Sequence, residues 1–188
     1  MTSPGRYAKG EAKRREILEV ALELIARNGY RRSTLREIAG AVGLTNAGVL
    51  HYFGSREELF AEVLRLRDSV GSETMAEGDA LDQLLHVIAG NQSVPGLVHL
   101  YASLSAEAVD ADHAAHEFFA ARYETLRRHL ADALGTAVAD GRLRRDLDPE
   151  RAARILIAVA DGLQTQWLID PTIDMADHVA HLVELWRA

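Results

Sequence analysis

Apolar side chains recur along most of the chain with the three- and four-residue spacing of an amphipathic α-helix. Ile17, Ala21 and Leu24 begin the first such stripe, and no stretch alternates with the two-residue period of a β-strand. Glycine, proline and capping residues divide the stripes into nine segments. The pattern predicts an all-α protein with helices at about residues 9–28, 35–42, 46–53, 55–75, 79–89, 94–109, 113–140, 149–169 and 173–186, a loose arm at 1–8 and a basic hinge at 142–145.

The stretch at residues 33–56, STLREIAGAVGLTNAGVLHYFGSR, predicts two short helices joined by a tight turn. Thr34 and Glu37 form an S/T-x-x-E capping box, in which each side chain satisfies a backbone amide of the other residue. Gly43 makes the turn because it tolerates the positive φ of a helix end, and Thr45 caps the second helix. Helix, four-residue turn and helix constitute a helix-turn-helix.

Charge is distributed unevenly along the chain. Residues 1–67 contain 12 basic against 8 acidic side chains, whereas residues 68–188 contain 9 against 20. The overall net charge of −7 argues against nucleic acid when it is taken alone. A basic head on an acidic body nevertheless suits a modular DNA-binding protein, because only the head must approach phosphate. We therefore expect a helix-turn-helix DNA-binding domain at residues 1–54 and a second helical domain at residues 55–188.

The composition argues against several other kinds of site. Cysteine is absent, so the chain has no disulfide, no thiolate zinc site and no cysteine nucleophile. No phosphate-binding glycine loop, nucleophile elbow or H-E-x-x-H motif is present, and neither an enzyme nor a cofactor is predicted. His113 and His116 have a spacing that metal sites use, but such a pair is more often a solvated face, and no metal site is predicted. No segment approaches the roughly 18 apolar residues of a membrane span, and no secretory signal is evident, so a cytoplasmic protein is expected.

Residues 17–59 resemble the DNA-binding domain of the TetR (tetracycline repressor) family without a gap, through ILEVALELIARNGY and STLREIAGAVGLTNAGVLHYFGSREEL. The resemblance implies a three-helix head and a helical body for ligand binding and dimerisation. It also implies a transcriptional regulator, most often a repressor that a small molecule releases from a near-palindromic operator. Many members have glycine and an aromatic residue where this chain has Ala47 and Leu50. Leu50 cannot donate to phosphate, so that contact is either absent or made by His51 or Tyr52.

The predicted recognition helix and the residues around it supply the candidate DNA contacts. The N-terminal turn of such a helix meets base edges in the major groove, so Asn46 is the candidate for reading a base. The hydroxyl, arginine and histidine side chains suit phosphate, although a solvated charge or a structural cap explains several of them as well. Val49 and Phe53 are assigned to the core. The candidate DNA contacts are Thr34, Arg36, Thr45, Asn46, Ala47, Gly48, His51, Tyr52 and Arg56.

The body is expected to bind a mostly apolar small molecule and to form a homodimer. A single head makes too few contacts for a tight specific site, and helices 8 and 9 are the candidate interface that the resemblance implies. The candidate ligand contacts, each of which ordinary core packing explains as well, are Tyr101, Leu104, Phe118, Phe119, Tyr123, Gln164 and Trp167. The candidate dimer contacts are Ala152, Ala153, Ile155, Leu156, Val159 and Ala160 on helix 8, and Val179, Leu182, Val183, Leu185 and Trp186 on helix 9.

An alternative function stays open, that of a helical ligand-binding or interaction protein without specific DNA binding. Leu50 in the recognition helix is the sequence feature that favours this alternative. Binding of the protein to bulk DNA and to its own upstream DNA distinguishes the two functions, because a protein without a functional head binds neither.

Overall fold

The computed structural model describes residues 4–74 and 80–188. These ranges contain nine helices and no β-strand, so the predicted all-α fold is confirmed. None of the helices in the described ranges is both long enough and apolar enough to cross a bilayer. The helices are α1 (Pro4–Asn28), α2 (Leu35–Ala41), α3 (Asn46–Phe53), α4 (Arg56–Thr74), α5 (Ala80–Asn91), α6 (Pro95–Glu107), α7 (His116–Ala139), α8 (Pro149–Ile169) and α9 (Met175–Glu184).

The first helix begins earlier than its apolar pattern indicated. α1 starts at Pro4, so the predicted loose arm at residues 1–8 is wrong over the part that the structure describes. Proline suits the first turn of a helix, where its missing N–H would have no helical partner, and Ala8 and Lys9 both favour helix. An apolar stripe marks only the packed part of a helix, and for this reason it does not reveal the solvated first turns.

The segment before α7 forms turns rather than the first turn of that helix. The carboxylate of Asp110 accepts a hydrogen bond from the Asp112 amide at 3.0 Å, and its carbonyl accepts one from the His113 amide at 3.1 Å. These local bonds satisfy the backbone without a helix. α7 consequently begins at His116, three residues later than the apolar pattern indicated.

The other helix boundaries lie close to their predicted positions. α5 continues to Asn91, which shortens the predicted loop, and α9 begins at Met175 behind the capping carboxylate of Asp174. The predicted end of the fourth helix at residue 75 and the predicted start of the fifth at residue 79 lie outside the described residues.

The basic segment at residues 142–145 is tied down, so the prediction of a hinge is wrong. The amide of Arg144 donates to the carbonyl of Trp186 at 2.9 Å, and Leu143 forms an isolated antiparallel bridge with Arg187. The Leu143 side chain is buried. A basic hinge was predicted here, whereas pairing with residues near Trp186 holds the backbone of the segment.

The chain divides into two compact units, each with its own core. The first unit comprises Met1–Val70 and Val94–Ala115, and the second comprises Gly71–Ser93 and His116–Ala188. This division by packing differs from the predicted domains at 1–54 and 55–188. The functional assignment of those domains to DNA binding and ligand binding stays a prediction.

The core of the first unit joins α6 and most of α4 to the first three helices. Ile17 and Ile25 of α1 are fully buried, as are Ile38 of α2 and Phe60 of α4. Gly96 of α6 lies so close to α1 that a Cβ at this position would come within 2.0 Å of the Ile25 carbonyl oxygen. Only glycine permits this approach of the two helices, and α6 therefore belongs to the same unit as the helix-turn-helix.

The second unit consists of α7 packed along α8, with α9 covering α8 and α5. Its fully buried side chains include Leu134 of α7, Leu156 of α8 and Met175 of α9. The Gln92 side chain donates to the Ile173 carbonyl at 3.3 Å, which links the end of α5 to the segment before α9.

Candidate nucleic-acid interface and effector site

Residues 34–54 form the predicted helix-turn-helix. The Glu37 amide donates to Thr34 Oγ1 at 3.2 Å, and the Thr34 amide donates to the Glu37 carboxylate at 2.9 Å, so both halves of the capping box are present. Gly43 turns the chain with a φ of +67°, a value that side-chain-bearing residues rarely adopt. The Gly48 amide then donates to Thr45 Oγ1 at 3.1 Å, which starts α3.

α1 supports the helix-turn-helix through two cationic side chains. Lys13 Nζ donates to the Val42 carbonyl at 2.6 Å and so binds the C-terminal end of α2, where a cation is favoured. The guanidinium of Arg14 lies 4.8 Å from the ring centre of Phe53, at the end of α3, and its Nη2 is 2.7 Å from Glu62 Oε2. These contacts hold both ends of the motif against the first helix, which makes the orientation of α3 a property of the whole unit.

α3 has a buried apolar face and an exposed face of polar and small residues. Val49 and Phe53 are buried, as predicted, and attach the helix to the core. Asn46, Ala47 and His51 are exposed. An exposed amide beside small residues at the first turn of a capped helix is an arrangement that can approach base edges closely.

The remaining candidate DNA contacts surround this face or lie beside it. Arg36 on α2 is exposed, and Tyr52 is half-buried with its ring 5.8 Å from that of His51. The Thr34 and Thr45 hydroxyls already accept backbone hydrogen bonds, but both residues remain exposed. The Thr34 hydroxyl also donates to the Glu37 carboxylate at 3.3 Å. At Thr45 capping and phosphate contact are compatible, because a hydroxyl that accepts one hydrogen bond can still donate another.

Arg56 has a packing role that its sequence position did not reveal. Its guanidinium lies 4.4 Å from the ring centre of Phe60 and 5.3 Å from that of Tyr30. The same Tyr30 ring contacts Phe60 and His99 edge-on, with centroids 5.6 Å apart in each case. The two aromatic rings hold Arg56 in place and leave its side chain partly exposed, so stacking and phosphate contact are both available to it.

The candidate ligand contacts are divided between the two units. Tyr101 and Leu104 are buried in the first unit. In the second unit the rings of Phe118 and Phe119 lie 5.0 Å apart, and those of Phe119 and Tyr123 lie 6.1 Å apart. Five of the predicted residues thus belong to the second unit, of which Phe118, Phe119, Gln164 and Trp167 are buried and Tyr123 is half-buried.

Asp161 is the polar centre of this aromatic group and was missed by the sequence reasoning. The Tyr123 hydroxyl donates to Asp161 Oδ2 at 2.8 Å, and the Gln164 amide lies 3.5 Å from Oδ1. The sequence did contain a signal for it. Asp161 interrupts a mostly apolar stretch of α8, and it lies one helical turn before Gln164, which was predicted as a ligand contact. A carboxylate beside a tyrosine at the end of a row of aromatic rings forms a site that can accept a cation or a hydrogen-bond donor.

A groove of about 450 Å³ opens between α7 and α8 beside Tyr123 and Asp161. Arg127 crosses it between the carboxylates of Glu124 and Glu150. The hydrogen bonds that Arg127 donates, first to Glu124 and second to Glu150, raise the pKa of Arg127 above its ordinary value, and the bond from Arg127 lowers the pKa of Glu124. The lining combines charges of both signs, and its residues are Ala120, Tyr123, Glu124, Arg127, Arg154, Ile157, Ala158 and Asp161.

The exposed face of α8 is unusually apolar for a surface. Ile155 and Ile169 are 48% and 81% exposed, and Gly162 on the same face has open space where a side chain would project. The dimer residues predicted on α8 divide between its two faces. Ile155 lies on the exposed face and Val159 is half-buried, whereas Ala152, Ala153, Leu156 and Ala160 are buried within the chain itself. The exposed stripe follows the helical repeat and comprises Arg151, Arg154, Ile155, Ala158, Gly162, Thr165, Gln166 and Ile169.

The predicted dimer residues on α9 also divide between core and surface. Val179 and Trp186 are buried within the chain, Leu182 and Val183 are half-buried, and Leu185 is 62% exposed.

His113, which precedes α7, contacts residues close to it along the chain. His113 accepts a hydrogen bond from the Ala115 amide through Nδ1, and its Nε2 lies 3.7 Å from Glu107 Oε2. Across the residues that the structure describes, no group of three or more histidine and acidic side chains is arranged to hold a metal ion.

A capped helix that exposes small and polar residues behind a tight turn defines a helix-turn-helix DNA-binding protein. The chain belongs to the TetR family of bacterial regulatory proteins, whose N-terminal profile matches residues 17–63. A second family profile, that of the C-terminal region of BetI-type transcriptional repressors, matches residues 79–186. The predicted function at this level, a DNA-binding transcriptional repressor, is confirmed.

Individual relatives and solved structures agree with this assignment. The transcriptional repressor KstR2 of Rhodococcus jostii is 30% identical to this chain, and the match covers 81% of this chain and 79% of KstR2. The transcriptional regulator AcrR of Shigella flexneri is 27% identical, and the match covers 96% of this chain and 93% of AcrR. A TetR-family regulator from Rhodococcus sp. has a TM-score of 0.70 at 24% identity over 94% and 98% of the two chains, and shows the fold. A transcriptional regulator from Saccharomonospora viridis in complex with choline has a TM-score of 0.69 at 26% identity over 93% and 96%.

Proposed function

We propose that this repressor binds a near-palindromic operator as a homodimer and leaves it when a small molecule binds the second unit. The observation that carries the DNA-binding half is the exposed face of α3, where Asn46, Ala47 and His51 project from a helix anchored by Val49 and Phe53. Two such helices, about 34–36 Å apart, would enter successive major grooves.

The residues of the DNA interface have different roles in this proposal. Asn46 reads a base edge, and the small Ala47 lets the helix approach closely. Thr45 donates to a phosphate from the N-terminal end of α3, where the helix dipole also favours an anion. Thr34, Arg36, His51, Tyr52 and Arg56 supply further phosphate contacts around the recognition helix.

The apolar stripe on α8 supports dimerisation. Ile155 and Ile169 lie exposed on one helical face with Ala158 and Gly162 between them. The small residues allow the same face of a second copy to approach closely, and the isoleucines would be removed from water. Leu185, directly after α9, is also exposed, and the proposed interface consists of α8 and α9 from each copy.

The aromatic group around Asp161 supports the binding of a mostly apolar molecule that carries one positive or hydrogen-donating group. Phe118, Phe119 and Tyr123 form a row of rings that ends at the Asp161 carboxylate. The choline complex of the Saccharomonospora viridis regulator fits this chemistry, because a quaternary ammonium interacts favourably with aromatic faces and with a carboxylate. We therefore place the effector site beside Tyr123 and Asp161.

Release from DNA requires that the effector favour one arrangement of the heads over another. α4 belongs to both units, because its residues Arg56–Val70 lie in the first unit and Gly71–Thr74 lie in the second. It is therefore the proposed connection between the effector site and the DNA-binding helices. A ligand that tilts α4 changes the separation of the two recognition helices until they no longer match successive grooves. A coupling free energy of about 1–3 kcal/mol is sufficient for such regulation.

Operator binding is tested by gel shift with the DNA upstream of the protein's own gene and a random duplex of equal length. We expect retardation of the upstream duplex at protein concentrations at least about 10³-fold lower than for random DNA. Equal retardation of both duplexes at every salt concentration would contradict specific binding. Retardation of neither would favour the alternative, a ligand-binding or interaction protein whose head no longer binds DNA.

Effector binding is tested by thermal unfolding with choline. A tightly bound ligand raises the melting temperature with concentration, because it binds only the folded state. We expect the Asp161→Asn variant to lose the shift caused by choline, since it keeps the shape of the side chain but not its charge. A choline shift of equal size in wild type and variant would contradict the proposed site.

A further inference from the structure

Arg31 and Arg32, in the link between α1 and α2, are exposed cations with no partner among the residues that the structure describes. Neither guanidinium takes part in an ion pair or hydrogen bond with any residue that the structure describes. Elsewhere the arginines commonly face carboxylates, as Arg14 does with Glu62 at 2.7 Å. Two adjacent uncompensated cations in an otherwise acidic protein indicate a binding surface for an anion.

The backbone that carries these two arginines is fixed. The amide and the hydroxyl of Ser33 both donate to the Gly29 carbonyl, at 3.2 and 2.9 Å, and the Thr34 amide donates to the Arg32 carbonyl at 3.0 Å. Ser33 is buried, so the link is anchored at its centre. A fixed backbone lowers the entropy that must be lost on binding, because only the side chains remain to be ordered.

The position of the link relative to the helix-turn-helix identifies the anion. In this motif the first helix crosses the DNA backbone while the second lies in the major groove. α2 is that first helix, and Arg32 is two residues before its capping residue, Thr34, and one before Ser33. The nearest acidic side chain along the chain, Glu37, is engaged in the capping box and does not pair with either arginine.

We infer that Arg31 and Arg32 form a second DNA contact that binds backbone phosphates beside the helix-turn-helix. The inference rests on the proposed entry of α3 into DNA and adds a contact that the recognition helix does not provide. Arg27 is also exposed, but it occupies the last turn of α1, where a cation stabilises the helix by itself, so it is left out of the site.

The test is the salt dependence of DNA binding for wild type and the double variant Arg31→Ala/Arg32→Ala, with the upstream duplex and the random duplex. A dimer would lose up to four phosphate contacts, so the slope of log affinity against log salt should become shallower by about 2 to 4. Affinity at low salt should fall about 10- to 100-fold on both duplexes, with their ratio unchanged. The variant Arg31→Lys/Arg32→Lys should keep most of the wild-type slope, since it keeps both charges.

Arg145→Ala is the matched control, because Arg145 is another exposed arginine without a partner in the described residues, and it lies in the second unit. An unchanged slope in the double alanine variant would overturn the inference, and so would an equal loss in the Arg145→Ala variant. If the double alanine variant folds poorly, the double variant Arg31→Gln/Arg32→Gln replaces it. Its slope of log affinity against log salt is then compared with that of the lysine variant, and equal slopes would overturn the inference. If wild type does not prefer the upstream duplex, specific recognition fails, while the slopes on random DNA still decide whether these arginines bind phosphate.

Discussion

α3 and α8 each bury one face in their own unit, yet they leave opposite chemistry exposed. The exposed face of α3 carries Asn46 and His51, whereas that of α8 carries Ile155 and Ile169. Both faces contain small residues, which allow a partner to approach the backbone closely. The difference indicates two kinds of partner, because hydrogen-bonding groups suit the edges of bases and exposed isoleucines suit a second protein surface.

The contrast also concerns how each surface binds. A DNA surface depends on a few placed side chains and on charge, so single substitutions there should change specificity or salt dependence. An apolar dimer surface depends on area removed from water, so charges introduced there should separate the subunits. The following variants distinguish these two behaviours.

The largest effect is expected from Ile155→Glu combined with Ile169→Glu. Two carboxylates on the exposed stripe of α8 would lie buried at the proposed two-fold interface without partners, so the variant should be monomeric. Operator affinity should then fall about 10³-fold or more, towards non-specific binding. Sedimentation measures the association state, and Val109→Glu, at a residue 82% exposed outside α8, is the control that should stay dimeric.

A smaller and more selective effect is expected from Asn46→Ala at the first turn of α3. Loss of a base contact should cost about 1–3 kcal/mol of discrimination between the operator and random DNA. Arg56→Ala should instead weaken binding to both duplexes alike and reduce the salt slope. If the two variants lower affinity for both duplexes by the same factor, the division into base and phosphate contacts is wrong.

Thr45→Ala should lower the free energy of unfolding by about 1 kcal/mol, because the Gly48 amide would lose its capping partner. The matched variant on α7, Thr125→Ala, removes an exposed mid-helix hydroxyl outside the proposed dimer interface and should change stability by less than about 0.5 kcal/mol. Denaturant unfolding of both variants measures the difference. Equal losses of unfolding free energy in the two variants would show that the cap does not stabilise α3.

The smallest effect is expected at Asp170, at the end of α8. Hydrogen bonds from the Thr172 hydroxyl and then the Thr172 amide lower the pKa of Asp170. Because the folded pKa lies below the unfolded one, the carboxylate stabilises the protein above the unfolded pKa and loses this effect as pH falls through the folded value. Asp170→Ala should therefore be slightly less stable than wild type near pH 7, and the difference should disappear as pH falls below the folded pKa of Asp170. A stability difference between Asp170→Ala and wild type that persists in acid would show that the negative charge of Asp170 is not its cause.

Local sequence was sufficient to predict the helix-turn-helix. The capping box at Thr34 and Glu37, the turn at Gly43 and the cap at Thr45 are contacts between residues at most four positions apart, so short-range spacing contains them. The burial of Val49 was predictable for the same reason, since a helix only eight residues long has one face to attach it.

The roles of Arg56, Asp161 and the exposed face of α8 could not be obtained in this way. Arg56 stacks on Tyr30, 26 positions earlier, and Asp161 accepts from Tyr123 at a separation of 38 residues. The alternation along α8 shows two partly apolar faces, and the sequence does not state which of them the rest of the chain covers. The predicted dimer residues therefore combined Ile155, which is exposed, with Leu156, which is buried within the chain.

The sequence by itself thus determined the nine helices and the motif that presents α3, because helix formation, capping and turns depend on neighbours along the chain. Tertiary structure alone decided that α6 packs with the DNA-binding helices, through the close approach of Gly96 to Ile25, and which side of α8 remains exposed. These features depend on which segments meet after folding. Periodicity can indicate that a helix has an apolar face, but only the packed chain shows whether that face is already covered or is free to bind a second copy.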